Sequence, residues 1–204
     1  YKASDGLAAS TPVTVTINVH AVNHAPICTG AAVTTAEDAV IAIRLACTDR
    51  DGDALDVTVV AKPGHGSLSG TAPELTYLPS PNYHGADQFT FYASDGAAES
   101  NVATLTITVT PVNDAPEIEP IADQSDVEGD SVELVVVASD VDGDELHFTA
   151  TGLPDGLAID PASGTITGEI TAAAADATHT VTVTVDDGHD GRATQSFQWT
   201  IKHK

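Results

Sequence analysis

This sequence contains very few basic residues. Its 204 residues include 7 Lys and Arg against 30 Asp and Glu, which gives a formal net charge of −23. Nucleic acids and anionic membranes are bound through Lys and Arg that neutralise phosphate, so such a chain repels both. Two interpretations of the acidic excess remain open: an evenly solvated, self-repelling surface, or carboxylate clusters that divalent cations neutralise. The positions of the acids along the chain distinguish the two.

Long apolar runs are missing as well. The longest apolar block, Leu134 to Ala138, has the length of a strand, whereas a membrane-spanning helix needs about 18 or more apolar residues. The sequence therefore predicts no membrane insertion. It starts at Tyr1, with neither Met nor a signal-like segment, which favours a fragment of a longer protein.

Aromatic residues and catalytic motifs are scarce. Phe, Trp and Tyr make up 4% of the chain, and the alternation of Trp199 with Phe197 and Ile201 favours core packing over sugar stacking. The 8 His are dispersed without zinc-ligand spacing, and no Gly-x-Ser-x-Gly motif occurs. Asp is abundant enough for a glycosidase pair, but a catalytic pair would be unique rather than repeated. We expect no enzymatic activity from this chain.

Only two cysteines are present, Cys28 and Cys47. They are equally far from the Glu37–Asp38 pair, and each lies in a segment with a strand-like pattern. A hairpin turning at this pair would place the two cysteines opposite each other. Such a bridge would close about 20 residues, contribute roughly 3 kcal/mol and indicate an oxidising compartment. The alternative is two free buried thiols.

Internal repetition is the clearest feature of the chain. Residues 1–26 align without gaps on residues 91–116, with 14 of the 26 positions identical. Both segments contain Ala-Ser-Asp-Gly, an alternating strand (Thr14 to Val19 and Thr104 to Val109) and Val-Asn-x-Ala-Pro. A second correspondence, at an offset of 91, relates the following segments. The period of about 90 residues is that of an immunoglobulin-like sandwich.

The repeat predicts an all-β fold of tandem immunoglobulin-like Greek-key β-sandwiches. Residues 1–22 would be the last two strands of a truncated preceding repeat, marginally stable alone. Residues 23–26 and 113–116 are linkers, in which Pro holds the preceding residue extended. The two complete repeats span 27–112 and 117–204. Strands are predicted at 31–36, 39–48, 55–62, 66–70, 74–78, 88–94 and 101–110, then at 124–128, 131–139, 145–151, 157–160, 165–168, 178–186 and 192–202. The Ala run 172–175 fits either a turn of helix or a loop.

The acids are clustered at fixed repeat positions. Glu37 corresponds to Glu128, and Asp49-x-Asp51-Gly-Asp53 corresponds to Asp140-x-Asp142-Gly-Asp144. Calcium takes six to eight oxygen ligands, several of them carboxylates, and clustered carboxylates without a cation repel one another. The alternative is that these residues only make turns, as Asp and Gly commonly do. The recurrence of both loops beside Asn-containing linkers favours calcium, although neither loop has the glycine and glutamate positions of an EF-hand.

Sandwich topology predicts which acids meet. The second-to-third and sixth-to-seventh strand loops should emerge beside the incoming linker, and the first turn and fifth-to-sixth loop at the opposite end. A calcium site at the second junction would therefore draw on Glu37, Asn82, Asp87, Asn113, Asp114, Asp140, Asp142 and Asp187. The first junction has Asn23, Asp49, Asp51 and Asp95, and its linker has His24 where the second has Asp114. We expect weaker binding at the first junction.

Several motifs also resemble a known group. Residues 23–116 resemble bacterial cadherin-like tandem repeats, through Asn-x-Ala-Pro, Asp-x-Asp-Gly-Asp-x-Leu, Asn82-Tyr83-His84-Gly85-Ala86-Asp87 and Phe91-Tyr92-Ala93-Ser94-Asp95-Gly96. Residues 117–204 are similar to dystroglycan-type cadherin-like or bacterial immunoglobulin-like repeats, through Gly152-Leu153-Pro154-Asp155-Gly156-Leu157 and Ser163-Gly164-Thr165-Ile166-Thr167-Gly168. The two cysteines and His24 depart from the usual pattern.

The resemblance implies a function outside the cell. It points to a large bacterial adhesin or other secreted surface protein in which calcium stiffens the array of repeats. The partners would be neighbouring repeats of the same polypeptide and, beyond them, a cell-surface glycan or protein. The alternatives are a polysaccharide- or partner-binding module and a spacer attached to an extracellular hydrolase.

Overall fold

A computed structural model describes residues 1–204 and divides the chain into two units, residues 1–110 and 111–204. The regular secondary structure of unit 1 consists of strands only. They are β1 (Ile27–Thr29), β2 (Ala31–Ala36), β3 (Ile41–Arg44), β4 (Ala46–Thr48), β5 (Asp56–Ala61), β6 (Gly66–Thr71), β7 (Glu74–Pro79), β8 (Gly85–Ser94) and β9 (Ala103–Thr110).

Unit 1 has two main sheets. One contains four strands in the order β2-β9-β8-β5, the other three in the order β3-β7-β6, and β1 pairs only with β4. All neighbours are antiparallel except β2 and β9, which run parallel over six residue pairs from Ala31–Leu105 to Ala36–Thr110. The core lies between the sheets because alternate residues face inward: along β9, Leu105, Ile107 and Val109 are 1, 1 and 2% exposed.

Unit 2 repeats this topology. Its strands are β10 (Glu117–Ile118), β11 (Gln124–Val127), β12 (Ser131–Val135), β13 (Ala138–Ser139), β14 (His147–Thr151), β15 (Leu157–Ile159), β16 (Thr165–Glu169), β17 (Ala177–Asp186) and β18 (Arg192–Lys202). The sheets have the orders β11-β18-β17-β14, β12-β16-β15 and β10-β13, and the parallel pair is β11 with β18. The Ala run forms a 3-10 helix at Ala172–Ala174. No helix in the structure has the length and apolar character that a membrane crossing requires.

Trp199 lies in the core of unit 2, as its alternation predicts. It is 1% exposed, its ring centroid lies 5.7 Å from that of Phe197, and its indole N–H donates to Asp126 Oδ2 at 2.8 Å. A buried ring with its polar atom satisfied is unavailable for stacking on a sugar.

The alternating strand expected at residues 14–19 does not form. Residues 1–13 fold into a hairpin-like turn with a bridge between Ser4 and Ala9, the same turn that Ser94 and Glu99 make 90 residues later. Beyond it, Val15, Ile17 and Val19 are 62, 79 and 90% exposed, although their counterparts in β9 are buried. The apolar face of this segment has no sheet to pack against, and a hairpin alone gains too little from burial to order its strands.

Candidate metal centre

The loop after β4 is folded around Asp49. One carboxylate oxygen of Asp49, Oδ1, accepts the backbone N–H groups of Asp51, Gly52 and Asp53 at 2.7, 3.0 and 3.3 Å. Short Asp side chains commonly organise turns in this way, and the positive φ of 86° at Gly52 is accessible to glycine at little cost. Local hydrogen bonds thus satisfy one of the two oxygens of the Asp49 carboxylate.

The second oxygen of that carboxylate, Asp49 Oδ2, is buried and has no hydrogen-bond partner. Carboxylate oxygens of Asp49, Asp51 and Asp53 lie within 4.8 Å of one another. A buried acceptor without a partner costs free energy, and neighbouring carboxylates add repulsion. A cation bound among the three would relieve both costs.

The incoming linker is attached to this loop and to the loop between β8 and β9. Asn23 Nδ2 donates to Asp95 Oδ2 at 2.9 Å, and the His24 N–H donates to Asp51 Oδ2 at 2.7 Å. The His24 imidazole also lies 3.1 Å from the Asp51 carboxylate. The hydrogen bond from the Asn23 side chain lowers the pKa of Asp95, and that from the His24 backbone lowers the pKa of Asp51. Both carboxylates are therefore held in the ionised form that a metal requires.

Unit 2 contains the same arrangement. Asp140 Oδ1 accepts the N–H groups of Asp142 and Asp144 at 2.9 and 3.4 Å. Asp140 Oδ2, like Asp49 Oδ2, is buried without a partner, and oxygens of the three carboxylates again lie within 4.8 Å of one another. His189 Nδ1 lies 3.2 Å from Asp144 at the rim. The two orphaned oxygens are the only buried side-chain polar atoms in the chain that lack a partner.

The second linker is attached in the same way. Asn113 Nδ2 donates to Asp187 Oδ2 at 2.8 Å, and the Asp114 N–H donates to Asp142 Oδ2 at 2.8 Å. The Asn113 bond is also the main cause of the lowered pKa of Asp187, which is 2% exposed. Gly191 is needed beside it, since a Cβ at that position would lie 1.9 Å from the Asp187 carboxylate. Asn113, Asp114, Asp140, Asp142 and Asp187 are thus gathered within unit 2.

Glu37 and Asn82 lie at the other end of unit 1, where β9 ends. The Glu37 N–H bonds the carbonyl of Thr110, and the buried Glu37 carboxylate lies 4.0 Å from His84 Nδ1. The Asn82 N–H donates to Asp38 Oδ1 at 3.3 Å. The first turn and the fifth-to-sixth loop therefore meet at this end of unit 1, which leaves Glu37 and Asn82 as sequence-based predictions of metal ligands.

The Asp87 carboxylate, predicted as a metal ligand, is surrounded by protein hydrogen-bond donors. It accepts four hydrogen bonds, from the N–H groups of Gly64, His65 and Gln88 and from the hydroxyl of Tyr77. Burial raises the pKa of Asp87, but these bonds together hold it below its usual value. Four donors occupy the acceptor positions of this carboxylate, so Asp87 organises the loop before β6, and its role as a metal ligand stays a prediction. Burial, followed by the hydrogen bond to Asp87, raises the pKa of Tyr77.

The two cysteines form a disulfide. Cys28 in β1 lies directly opposite Cys47 in β4. The chain turns at Glu37–Asp38 as expected, but β2 and β3 on either side of the turn join different sheets. The pairing therefore arises from the small β1–β4 sheet rather than from one continuous hairpin.

Protein-family models match two separate segments of the chain. Residues 23–108 match a family described as "Bacterial Ig domain", and residues 115–202 match one described as "Putative Ig domain". Among curated proteins, the chain is 29% identical over 160 residues to a serine-rich adhesin for platelets from Staphylococcus aureus strain MRSA252. That match covers 78% of this chain and 11% of the adhesin. The chain thus spans about a tenth of that relative.

Solved structures with a similar fold include cadherin ectodomains. The human protocadherin-24 EC1-2 structure superposes with a TM-score of 0.59 and 18% identity, covering 89% of this chain and all of that one. Mouse cadherin-23 EC22-24 gives a TM-score of 0.53 and 19% identity, with 88% and 65% covered. At these identities the likeness concerns the fold alone. The two family matches therefore identify the complete repeats of this chain as immunoglobulin-like repeats, and their fold is similar to that of cadherin ectodomains.

Proposed function

We propose that this chain is a calcium-binding structural and adhesive segment of a bacterial cell-surface or secreted protein, without catalytic activity of its own. The observation that carries the proposal is the pair of matching acidic loops. Each places three carboxylates within 4.8 Å and leaves one buried oxygen without a partner. Turn formation explains the hydrogen bonds that Oδ1 of Asp49 and of Asp140 accepts. It does not explain why their Oδ2 atoms are buried without a partner.

The donor set favours calcium over transition metals. Calcium prefers hard oxygen ligands from carboxylates, amides and carbonyls in flexible geometry, whereas zinc and copper prefer sulfur and imidazole. In unit 2 the ion would be held by Asp140, Asp142 and Asp187, with Asn113 and Asp114 as further oxygen donors.

Calcium bound in unit 2 would stabilise the linker as well as the loop. Asn113 and Asp114 already contact Asp187 and Asp142 through hydrogen bonds. An ion shared by these side chains would add charge neutralisation to those bonds, and residues 113–116 would then be fixed to unit 2. Stiffening of the linkers between repeats is the proposed structural role of the cation.

The first acidic loop is proposed as the weaker site. Asn23, Asp49, Asp51 and Asp95 occupy the positions of Asn113, Asp140, Asp142 and Asp187. His24 replaces Asp114, however, so an imidazole stands where the second site has a carboxylate. Imidazole is a poor calcium ligand and, when protonated, opposes a cation. Calcium affinity should therefore be lower there.

The setting outside the cell rests on two observations. The disulfide is typical of oxidising compartments, and the relatives include a staphylococcal adhesin. The partners would be neighbouring repeats and a cell-surface glycan or protein. A polysaccharide-binding module and a spacer on an extracellular hydrolase remain alternatives. The burial of Trp199 weighs against sugar stacking at the last strand.

Calorimetric titration with calcium tests the proposal. Asp140→Asn keeps an oxygen for the loop hydrogen bonds but replaces the orphaned oxygen by an NH₂ group, and we expect it to weaken binding in unit 2 at least roughly tenfold. Glu133→Gln, an exposed position on β12 with the same change of charge, is the matched control and should titrate like the wild type. Equal affinities for the two variants, or no binding heat in the wild type, would remove the basis for the calcium site.

A further inference from the structure

The disulfide of unit 1 lies where the linker enters the sheets. Cys28 is two residues after Pro26, and the bridge to Cys47 closes a loop of backbone that contains both β2 and β3. The Asn101 side chain bonds the Cys28 N–H and carbonyl at 3.1 and 3.0 Å, and the Ser100 hydroxyl donates to Cys28 Sγ at 3.3 Å. Cys28 is therefore a fixed point at the start of the unit.

Without the bridge, tension along the chain would load β2 against β9. Tension entering through the linker would reach β2 at Ala31, and tension leaving the unit acts on β9 at Thr110. The two strands are parallel and paired over six residues, and the loaded ends lie at opposite ends of the pair. Opposed forces along the strands shear the whole ladder at once, because its hydrogen bonds run across the direction of pulling.

With the bridge, tension has a shorter route. The Cα atoms of Cys28 and Cys47 are 4.1 Å apart, whereas the backbone between them is 19 residues long. The short covalent route becomes taut and the backbone loop remains slack. Beyond Cys47 the chain leads through the acidic loop to β5, which lies at the opposite edge of the β2-β9-β8-β5 sheet.

We infer that the Cys28–Cys47 disulfide is a load bypass, which diverts tension around β2 and β3, leaves the parallel β2–β9 pair unloaded and transfers the force to β5. The inference concerns mechanical function and does not depend on the proposed calcium sites. It assigns a mechanical role to the two cysteines, which are not among the proposed calcium ligands.

Unit 2 provides an internal reference. Its first strand, β10, pairs with β13 over only two residues, and no cysteine is present there. The parallel pair β11–β18 has four residue pairs. Tension entering unit 2 therefore has no covalent route around β11, and oxidation state should leave its mechanical unfolding unchanged.

The test is force spectroscopy of the whole chain held by its two ends. The wild type is compared with the double variant Cys28→Ser/Cys47→Ser. The 19-residue loop, at roughly 3.6 Å per residue less the bridge itself, should make the unit 1 extension about 65 Å shorter in the wild type. This difference in extension identifies the unfolding of unit 1 in each trace and verifies that the disulfide is formed.

The decisive arm adds a proline to β2. In an edge strand alternate N–H groups face the neighbouring strand, so one of Ala31→Pro and Ala32→Pro removes a bond to β9 and the other is its control. In the bridgeless chain, one of the two variants should unfold unit 1 about tenfold faster at a given force. In the bridged chain neither proline variant should speed the unfolding of unit 1, because β2 stays paired with β9 in the transition state. Equal acceleration with and without the bridge, or no acceleration in the bridgeless chain, would overturn the inference. Thermal melting confirms that each variant is folded.

Discussion

Two aspartates of unit 1 illustrate how surroundings decide the role of a carboxylate. Asp87 is buried and accepts four hydrogen bonds, so every oxygen position is occupied by protein donors. Asp49 accepts three bonds at one oxygen and none at the other. The protein alone satisfies both oxygens of the Asp87 carboxylate, whereas one oxygen of the Asp49 carboxylate has no partner. The residue type is the same, and the surroundings distinguish the two carboxylates.

Asp87→Asn should destabilise unit 1. The lowered pKa of Asp87 means that its ionised form stabilises the fold. This contribution is fully present above about pH 4, the pKa of an unfolded Asp, and is lost as pH falls through the folded value. Replacing one oxygen by an NH₂ group leaves two donors without an acceptor, at a cost of about 2–3 kcal/mol.

Denaturant unfolding at neutral and acidic pH measures this effect. The difference between wild type and variant should be full at pH 7 and shrink once the wild-type carboxylate is protonated. Asp56→Asn, an exposed position on β5, is the control and should cost little. A difference that is constant across pH would contradict the role of the ionised carboxylate.

His24→Asp should strengthen the first calcium site. The imidazole lies 3.1 Å from Asp51, at the position that Asp114 occupies in the second linker. Adding a carboxylate there increases the charge and ligand count of the site, and we expect roughly tenfold tighter calcium binding by calorimetry. His20→Asp makes the same change in an exposed segment and should leave the affinity unaltered. If both variants behave alike, the difference between the two linkers has another cause.

At the scale of elements, most strands are predictable because their residues alternate. Every predicted strand of the two complete repeats appears within three residues of its expected bounds, since period-2 patterning follows directly from burial of one face. The sequence predicts one strand in each of the segments 39–48 and 131–139, whereas each segment contains two. Leu45 and Val136 interrupt them by donating to carbonyls of Pro73 and Gly164, in loops rather than strands.

The shortest strands were not predictable. β1 and β10 contain three and two residues, too few for any period to be visible. They matter because β1 carries Cys28 and each lies next to a linker. Residues 14–19 show the converse: the pattern is present, but strands form only where neighbouring strands complete a sheet.

Some features of the candidate site are likewise predictable from the sequence, and others are not. The repeat predicts that the acidic loops share a position, and loop topology predicts their nearness to Asn23 and Asn113. The role of Asp87 was not predictable, because its donors come from Gly64, His65 and Tyr77, which no spacing rule links to it. The burial of one oxygen on Asp49 and on Asp140 is equally a property of the folded loop.

For the whole molecule, the net charge of −23 has a physical cost that cation binding would reduce. Like charges destabilise a compact state, most strongly where carboxylates lie within a few ångströms. Each unit concentrates three such groups beside its linker. Calcium should therefore stabilise both units, and unit 2 more strongly because its linker supplies Asp114 in place of His24.

Scanning calorimetry of the whole chain in calcium and in chelator tests this central claim most directly. With calcium at about 100 times its Kd, linkage gives about 2.7 kcal/mol, which corresponds to a rise in melting temperature of roughly 11–20 °C for a domain of this size. We predict a rise for both units and a larger one for unit 2, with magnesium giving less. Superimposable transitions in calcium and in chelator would contradict the account.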